Sequence, residues 1–277
     1  MKAAVIGHPI AHSLSPTLFA AFGRATGLEL DYRAVDVTPE ALGSTLGQWR
    51  DDQSFVGCNV TMPHKRAIVA HLDETSTSAQ ACDAVNVVRR DGATLVGDNT
   101  DVIGIAATLE LLELDPARKR AVIFGAGGGA QAVATVLAER GAAEIWIVAR
   151  TLERAQALAA RAGGLYPATL IAALRMNGEE PPPADLYVNA TPTGMAGHPA
   201  RALLPSNVPR GAAAFDLVYR PADTPFVRDA RSRGANAIGG FPMLLEQALA
   251  TYERWFGIRP TLDARNRADL EALACAT

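Results

Sequence analysis

Residues Ala121 to Ala155, AVIFGAGGGAQAVATVLAERGAAEIWIVARTLERA, constrain the fold more than any other stretch of the chain. Ala121-Val122-Ile123-Phe124 is a short apolar run of the kind that a parallel sheet buries on both faces. Gly125-Ala126-Gly127-Gly128-Gly129-Ala130 follows at once and matches G-x-G-x-x-A. Gln131 to Arg140 reads as a helix, with Val133, Val136 and Leu137 on one face and Gly141 as its stop. Glu144 to Val148 is a second buried strand. The glycines therefore sit at the strand-to-helix turn of a βαβ unit. There Gly125 permits the tight turn, Gly127 lets the backbone approach a pyrophosphate, and Ala130 lets the helix pack on the strand. The helix N-terminus turns its free N–H groups toward the anion. A dinucleotide is the expected ligand.

The tip of the second strand indicates which one. An NAD-binding fold usually carries an acidic residue there to hold the ribose 2′-hydroxyl. This chain has Ala149-Arg150-Thr151, with Arg154 one turn later. Guanidinium forks match a phosphate, so NADP is expected. Glu153 is the one nearby feature that argues for NAD.

A chain of 277 residues can form two domains with separate cores. The net charge is -3, and no basic run points to nucleic acid. The longest apolar stretches are strand-length, so no membrane span is expected. Met1 to Gly7 reads as a strand rather than a signal peptide. Cys58, Cys82 and Cys275 are odd in number and lack metal spacing, which suits a reducing cytoplasm. No metal site is expected.

Before the glycine unit, Lys2 to Gly7 reads as a strand. A helix follows from Pro16 to about Gly23, with Ser15 as its N-cap. Ser13 could direct a second hydroxyl at the same helix end, which makes a carboxylate site. Phe55 to Thr61 is a strand on which Asn59 and Thr61 face the same way. Lys65 is expected at the start of a helix running through Ile68 to Leu72, where its charge opposes the helix dipole. Asp83 to Val88 is a further strand carrying Asn86. Gly97 to Asp101 is a polar turn, with Asp101 a plausible N-cap for a helix over Val102 to Leu114. Beyond the unit, strands are expected at Asp185 to Ala190 and Ala213 to Tyr219. A long helix from Met243 to Phe256 carries Gln247.

Several of these segments together carry a family resemblance. They are Gly7-His8-Pro9-Ile10-Ala11-His12-Ser13-Leu14-Ser15-Pro16, Asn59-Val60-Thr61-Met62-Pro63-His64-Lys65, Ala84-Val85-Asn86 and Gly97-Asp98-Asn99-Thr100-Asp101. The glycine loop, Asn189-Ala190-Thr191-Pro192-Thr193-Gly194-Met195 and Asp216-Leu217-Val218-Tyr219 extend the set. The chain resembles the shikimate dehydrogenase family in register from about Ala4 to Trp255.

The resemblance implies two α/β domains. Residues 1–101 with 238–277 would form the substrate-binding domain, and residues 102–237 a Rossmann-type doubly wound NADP-binding domain. The active site is expected in the cleft between them. It also implies reversible oxidation of shikimate to 3-dehydroshikimate with NADP, a step of aromatic amino-acid and chorismate biosynthesis. Ser13, Ser15 and Tyr219 match the family's carboxylate-binding positions. Thr61, Asn86, Asp101 and Gln247 match those for the ring hydroxyls, with Asn59 nearby. Lys65 and Asp101 match the catalytic pair. A Lys acts as a base only with a lowered pKa, whereas its ammonium form polarises a carbonyl, and the sequence leaves open which group moves the proton. Leu217 and Gly240 match positions lining the nicotinamide. Gly125, Ala126, Gly127, Gly128, Gly129, Ala130, Ala149, Arg150, Thr151 and Arg154 would bind the rest of NADP.

Three departures mark a divergent member of that family. Asp83 and Val87 replace the Gly and Thr usually flanking Ala-Val-Asn. Gly239-Gly240-Phe241-Pro242-Met243 departs from Asp-Gly-Leu-Gly-Met, and Ala149 replaces a frequent Asn. Ser15, where quinate-using members often have Thr, leans towards shikimate. The alternatives are a quinate/shikimate or related cyclic hydroxy-acid dehydrogenase and a non-catalytic NADP-binding regulator. A small-molecule substrate is expected, handled by a monomer or homodimer.

Overall fold

The computed structural model describes residues 1–275. Its strands are β1 (Lys2–Gly7), β2 (Asp31–Asp36), β3 (Phe55–Val60), β4 (Glu74–Thr75), β5 (Val87–Asp91), β6 (Thr94–Asp98), β7 (Arg120–Phe124), β8 (Glu144–Ala149), β9 (Leu170–Arg175), β10 (Leu186–Asn189), β11 (Ala213–Asp216) and β12 (Asn236–Ile238). The helices are α1 (Ser15–Thr26), α2 (Leu42–Asp51), α3 (Thr77–Cys82), α4 (Asp101–Leu111), α5 (Gly128–Glu139), α6 (Leu152–Leu165), α7 (Pro225–Ser232), α8 (Phe241–Phe256) and α9 (Ala264–Cys275). The chain divides into two compact units. One is Met1–Ile103 with Leu245–Ala272, and the other is Gly104–Leu244 with the residues from Leu273. The three breaks fall inside helices, α4, α8 and α9.

The first unit holds a six-stranded mixed sheet in the order β2-β1-β3-β5-β6-β4. β1 pairs in parallel with β2 and β3, while β5 runs antiparallel to β3 and to β6. Ala3 to Gly7 are all buried, as the unbroken apolar run requires. Ile6, Leu42, Phe55, Val60, Ile68, Val88 and Leu95 form a core on the sheet. The edge strand β2 exposes Asp31, Arg33 and Asp36, and such charges discourage further pairing. Phe19 of α1 stacks on Tyr32 of β2 at 4.1 Å and lies 6.1 Å from the ring of Tyr252. Fully buried Tyr252 also shares a 2.6 Å hydrogen bond with Thr26, so an aromatic cluster seats α8 in this unit.

The second unit holds an all-parallel sheet in the order β12-β11-β10-β7-β8-β9. Counted from β7, that is the doubly wound order 3-2-1-4-5-6, whose switch point lies between β7 and β10. Val122, Phe124, Tyr187, Ala214, Phe226 and Val227 belong to its core. No helix among the described residues is long and apolar enough to cross a membrane. Cys58 and Cys82 are buried, and the Cys275 side chain lies outside the described residues.

Several local expectations are corrected. Ser15 is the first helical residue of α1, not its cap. Leu14 holds the cap position without a side-chain bond, and Ser13 Oγ accepts the Ser15 N–H at 3.2 Å. Lys65 lies in a turn ahead of a 3-10 helix at Ala67–His71, so it opposes no α-helix dipole. Strand β5 starts at Val87, because Asp83 turns the chain with a left-handed φ of 47° at the end of α3. Asp has a short polar side chain that tolerates that conformation. Asp101 is the first residue of α4 and so not its cap, and Asn99 Oδ1 accepts the Asp101 N–H at 3.0 Å. The polar turn read over Gly97 to Asp101 begins inside strand β6, and β11 stops at Asp216, three residues before Tyr219.

Candidate active site

In the first unit, polar side chains from the residue before β5, from α4, α8 and the Lys65 turn converge. Lys65 Nζ donates to Asp101 Oδ2 at 2.6 Å. Asn86 Nδ2 donates to Asp101 Oδ1 at 2.9 Å and lies 2.9 Å from Gln247 Oε1 and 3.1 Å from Thr100 Oγ1. Asn86 Oδ1 accepts the Thr100 N–H at 2.7 Å. Both Asp101 oxygens are thus engaged, and its side chain is only 4% exposed, against 19% for Lys65. The Lys nitrogen keeps two further N–H donors and is the member of the pair open to a ligand.

The cluster extends inward. Thr251, one turn after Gln247 on α8, bonds the Gln247 carbonyl at 2.9 Å and lies 3.2 Å from Thr100 Oγ1. Asn59 Nδ2 donates to Thr251 Oγ1 at 3.2 Å, and the Tyr32 phenol donates to Asn59 Oδ1 at 2.9 Å. Burial pushes the Tyr32 phenol well above its ordinary range, although its hydrogen bond with Ser15 pulls the other way. The helix carrying Gln247 is fixed from β6 as well, where Arg254 Nε donates to Asp98 Oδ2 at 2.6 Å. Burial acts to raise the Asp98 carboxyl, but Ser76, Arg254, Ser78 and the Asn99 N–H together hold it at about 2.

In the second unit the glycine turn follows β7. Gly125 has φ 116°, and a Cβ there would stand 2.7 Å from the carbonyl oxygen of Ala190, just beyond β10. The two strand ends at the switch point therefore touch through this residue. Helix α5 starts at Gly128, three residues earlier than its apolar pattern indicates, with Gly127 as a cap that offers no side-chain bond. Ala130 is fully buried, and Ala149 ends β8 nearly buried. Arg150, Thr151 and Arg154 are exposed beyond it. Leu217 and Tyr219 lie in the loop after β11, and Gly240 immediately precedes α8.

The structure thus brings Lys65, Asn86, Asp101 and Gln247 into direct contact, reaches Asn59 through Thr251, and ties Ser15 to Asn59 through Tyr32. Ser13 contacts the backbone of Ser15. Thr61 is half-buried one residue past β3, its N–H donating to Ile6 at 2.9 Å. Tyr219, Leu217 and Gly240 belong to the other unit. Sequence reading missed Tyr32, Asn99, Thr100 and Thr251. Thr251 had a signal, since it stands four residues after Gln247 and so on the same helix face.

A doubly wound sheet with a glycine-led helix at its switch point, joined to a second α/β unit, defines a dinucleotide-binding oxidoreductase class. Comparison with known proteins narrows the class. The profile of the shikimate dehydrogenase substrate binding domain matches residues 5–88, and that of shikimate / quinate 5-dehydrogenase matches residues 108–179. The shikimate dehydrogenase (NADP(+)) of Moorella thermoacetica is 40% identical over 99% of this chain and 94% of its own length. The crystal structure of shikimate 5-dehydrogenase from Thermus thermophilus, in complex with NADP(H) and shikimate, superposes with a TM-score of 0.85 at 38% identity. That match covers 99% of this chain and 98% of the other. A 5-ketofructose reductase from Gluconobacter gives a TM-score of 0.84 at 31% identity, covering 98% of each chain. The chain belongs to the shikimate dehydrogenase family.

Proposed function

We propose that this protein is an NADP-dependent shikimate dehydrogenase that interconverts shikimate and 3-dehydroshikimate. The carrying observation is the Lys65–Asp101 contact of 2.6 Å, built into one cluster with Asn86 and Gln247. The first unit would take the substrate and the second the cofactor. The residues present fit NADP. A Cβ on Gly127 would meet nothing within 4 Å, which leaves room for a pyrophosphate at an uncapped helix start. Arg150, Thr151 and Arg154 supply exposed donors for a 2′-phosphate beyond β8.

NADP, when bound, supplies the hydride acceptor for C3. The protein's own task is the proton. In the oxidising direction Lys65 Nζ, acting in its neutral amine form, takes the proton of the C3 hydroxyl as that carbon loses hydride. In the reducing direction the ammonium returns it to the carbonyl oxygen. Asp101, held from behind by Asn86, fixes the nitrogen and balances its charge. Asn86, Gln247 and Thr61 orient the ring hydroxyls, with Asn59 supporting them, while Ser13, Ser15 and Tyr219 receive the carboxylate.

Initial rates with shikimate and quinate, each with NADP and NAD, test this on the wild type and Lys65→Ala. Turnover mainly with shikimate and NADP is expected, falling on the order of 10²- to 10⁴-fold in the variant. Preference for quinate or NAD would overturn the specificity. No turnover with any pair, despite NADP binding, would overturn the activity.

A further inference from the structure

One carboxylate in the second unit is wholly buried at the end of its strand. Asp216 terminates β11 with no exposed surface. Its Oδ1 accepts from Asn189 Nδ2 and from the Val218 N–H, both at 2.9 Å, and its Oδ2 accepts from Thr224 Oγ1 at 2.6 Å. Asn189, its register partner on β10, takes the Thr191 N–H at 3.0 Å and the Thr191 hydroxyl at 2.7 Å on its own Oδ1. The Thr224 hydroxyl also caps α7 by accepting the Val227 N–H at 3.2 Å. A single carboxylate is therefore tied to the turn after β10, the loop after β11 and the start of α7.

A fourth segment joins them. The Gly240 N–H donates to the Val218 carbonyl at 3.0 Å, and a Cβ on Gly240 would stand 2.5 Å from the Leu217 carbonyl oxygen. Any shift of residues 217–219 would therefore carry Gly240 with it. Stability does not explain why a carboxylate occupies this position. Burial outweighs the bonds from Thr224, Val218 and Asn189 and pushes the carboxyl up to about 7. Holding it charged near neutrality costs the fold free energy. What the group supplies is geometry: three donors converging on one strand end.

We propose that Asp216, acting with Asn189, is a positioning residue for the reaction. It sets the backbone of Leu217-Val218-Tyr219. Through that backbone it places the proposed nicotinamide wall, Leu217 and Gly240, together with the Tyr219 hydroxyl proposed for the substrate carboxylate. The inference rests on the functional reading above for the roles of those three residues.

The test uses full-length enzyme carrying Asp216→Ala, Asp216→Asn or Tyr219→Phe. Steady-state rates with shikimate and NADP are measured beside the affinity for 2′,5′-ADP, which reports the Arg150 and Arg154 end alone. In Asp216→Ala, kcat/KM should fall on the order of 10²-fold, as expected when reacting groups are displaced by about 1 Å. Binding of 2′,5′-ADP should stay within about threefold of wild type, because that site shares no contact with Asp216. Asp216→Asn keeps an oxygen for Val218 and Asn189 and should recover to within about tenfold of wild type. Unchanged kcat/KM in Asp216→Ala, an equal loss of 2′,5′-ADP binding, or failure of the Asn variant to rescue would each overturn the proposal. An unchanged KM in Tyr219→Phe would overturn the role given to Tyr219 instead. Should Asp216→Ala not fold, Asn189→Ala removes the same bridge from its other side and is read in the same way.

Discussion

Replacing Asn86 with Ala should lower the stability of the first unit by about 3–5 kcal/mol. The side chain is 2% exposed and uses both ends. Its Nδ2 donates to the Asp101 carboxylate at 2.9 Å, and a bond to a charged group contributes about 1.5–3 kcal/mol. Its Oδ1 accepts the Thr100 N–H at 2.7 Å, and Thr100 is fully buried. Loss of that acceptor strands a backbone donor at about 1–3 kcal/mol. The bond to Gln247 Oε1 adds less. Thr100 Oγ1 already lies 3.5 Å from that oxygen and can take over as its donor. The terms share partners and do not simply add.

Urea unfolding read by tryptophan fluorescence in a Trp146→Phe background would measure the loss. The remaining indoles, Trp49 and Trp255, both lie in the first unit. Trp255 Nε1 bonds the Val88 carbonyl at 3.1 Å, two residues beyond the substituted position. The two units need not unfold together, so their transitions are fitted separately. A change below about 1 kcal/mol would refute the reasoning, because it would mean that the Thr100 N–H and Asp101 find other partners.

Two further outcomes follow from the second unit. Arg150→Ala and Arg154→Ala should each raise the KM for NADP by about 10- to 100-fold, the worth of a charge-assisted bond to phosphate, and leave the KM for NAD nearly unchanged. An equal rise for both cofactors would contradict a 2′-phosphate site. Asp216 titrates near 7 when folded and near 3.9 when unfolded, so between those values the native state holds the extra proton. Its contribution to stability is complete below about pH 4 and is lost as pH rises through about 7, a fall on the order of 2–4 kcal/mol. Stability measured against pH should show that fall in the wild type and lack it in Asp216→Asn. Parallel curves would refute the assignment.

The second unit was the more legible in sequence because its signal is local. A buried parallel strand is apolar throughout, a turn at the switch point needs Gly125, and a helix packed on a sheet repeats its apolar face. These requirements act within about ten residues of chain, so β7, α5 and β8 could be read with errors of a few residues at their ends. Strands β9 and β12 were not read: residues 170–174 are apolar, but they lie on an edge strand that is partly or fully exposed, and β12 has three residues. In the first unit, Lys65, Asn86, Asp101 and Gln247 stood out through the family resemblance. Spacing along the chain does not bring them together, for Asn86 and Gln247 are 161 positions apart.

The residues that went unread share one physical property: each acts by bonding to another polar group rather than by meeting a ligand. Asn99 holds the Asp101 N–H, Thr100 orients Asn86, Thr251 connects Asn59 with Thr100, and Asp216 gathers Asn189, Val218 and Thr224. In sequence, such a Thr or Asn is indistinguishable from an ordinary cap or turn residue, because its value depends on burial that only the fold supplies. Once buried, an amide or carboxylate is tolerated only where its partners are in place. That dependence makes these residues rigid supports. Lys65 Nζ is held in place because Asp101 is fixed by Asn86, and Asn86 by Thr100. Activity in this protein should therefore be sensitive to substitutions of buried Thr100 and Thr251, two side chains that touch neither substrate nor cofactor in the proposed reaction.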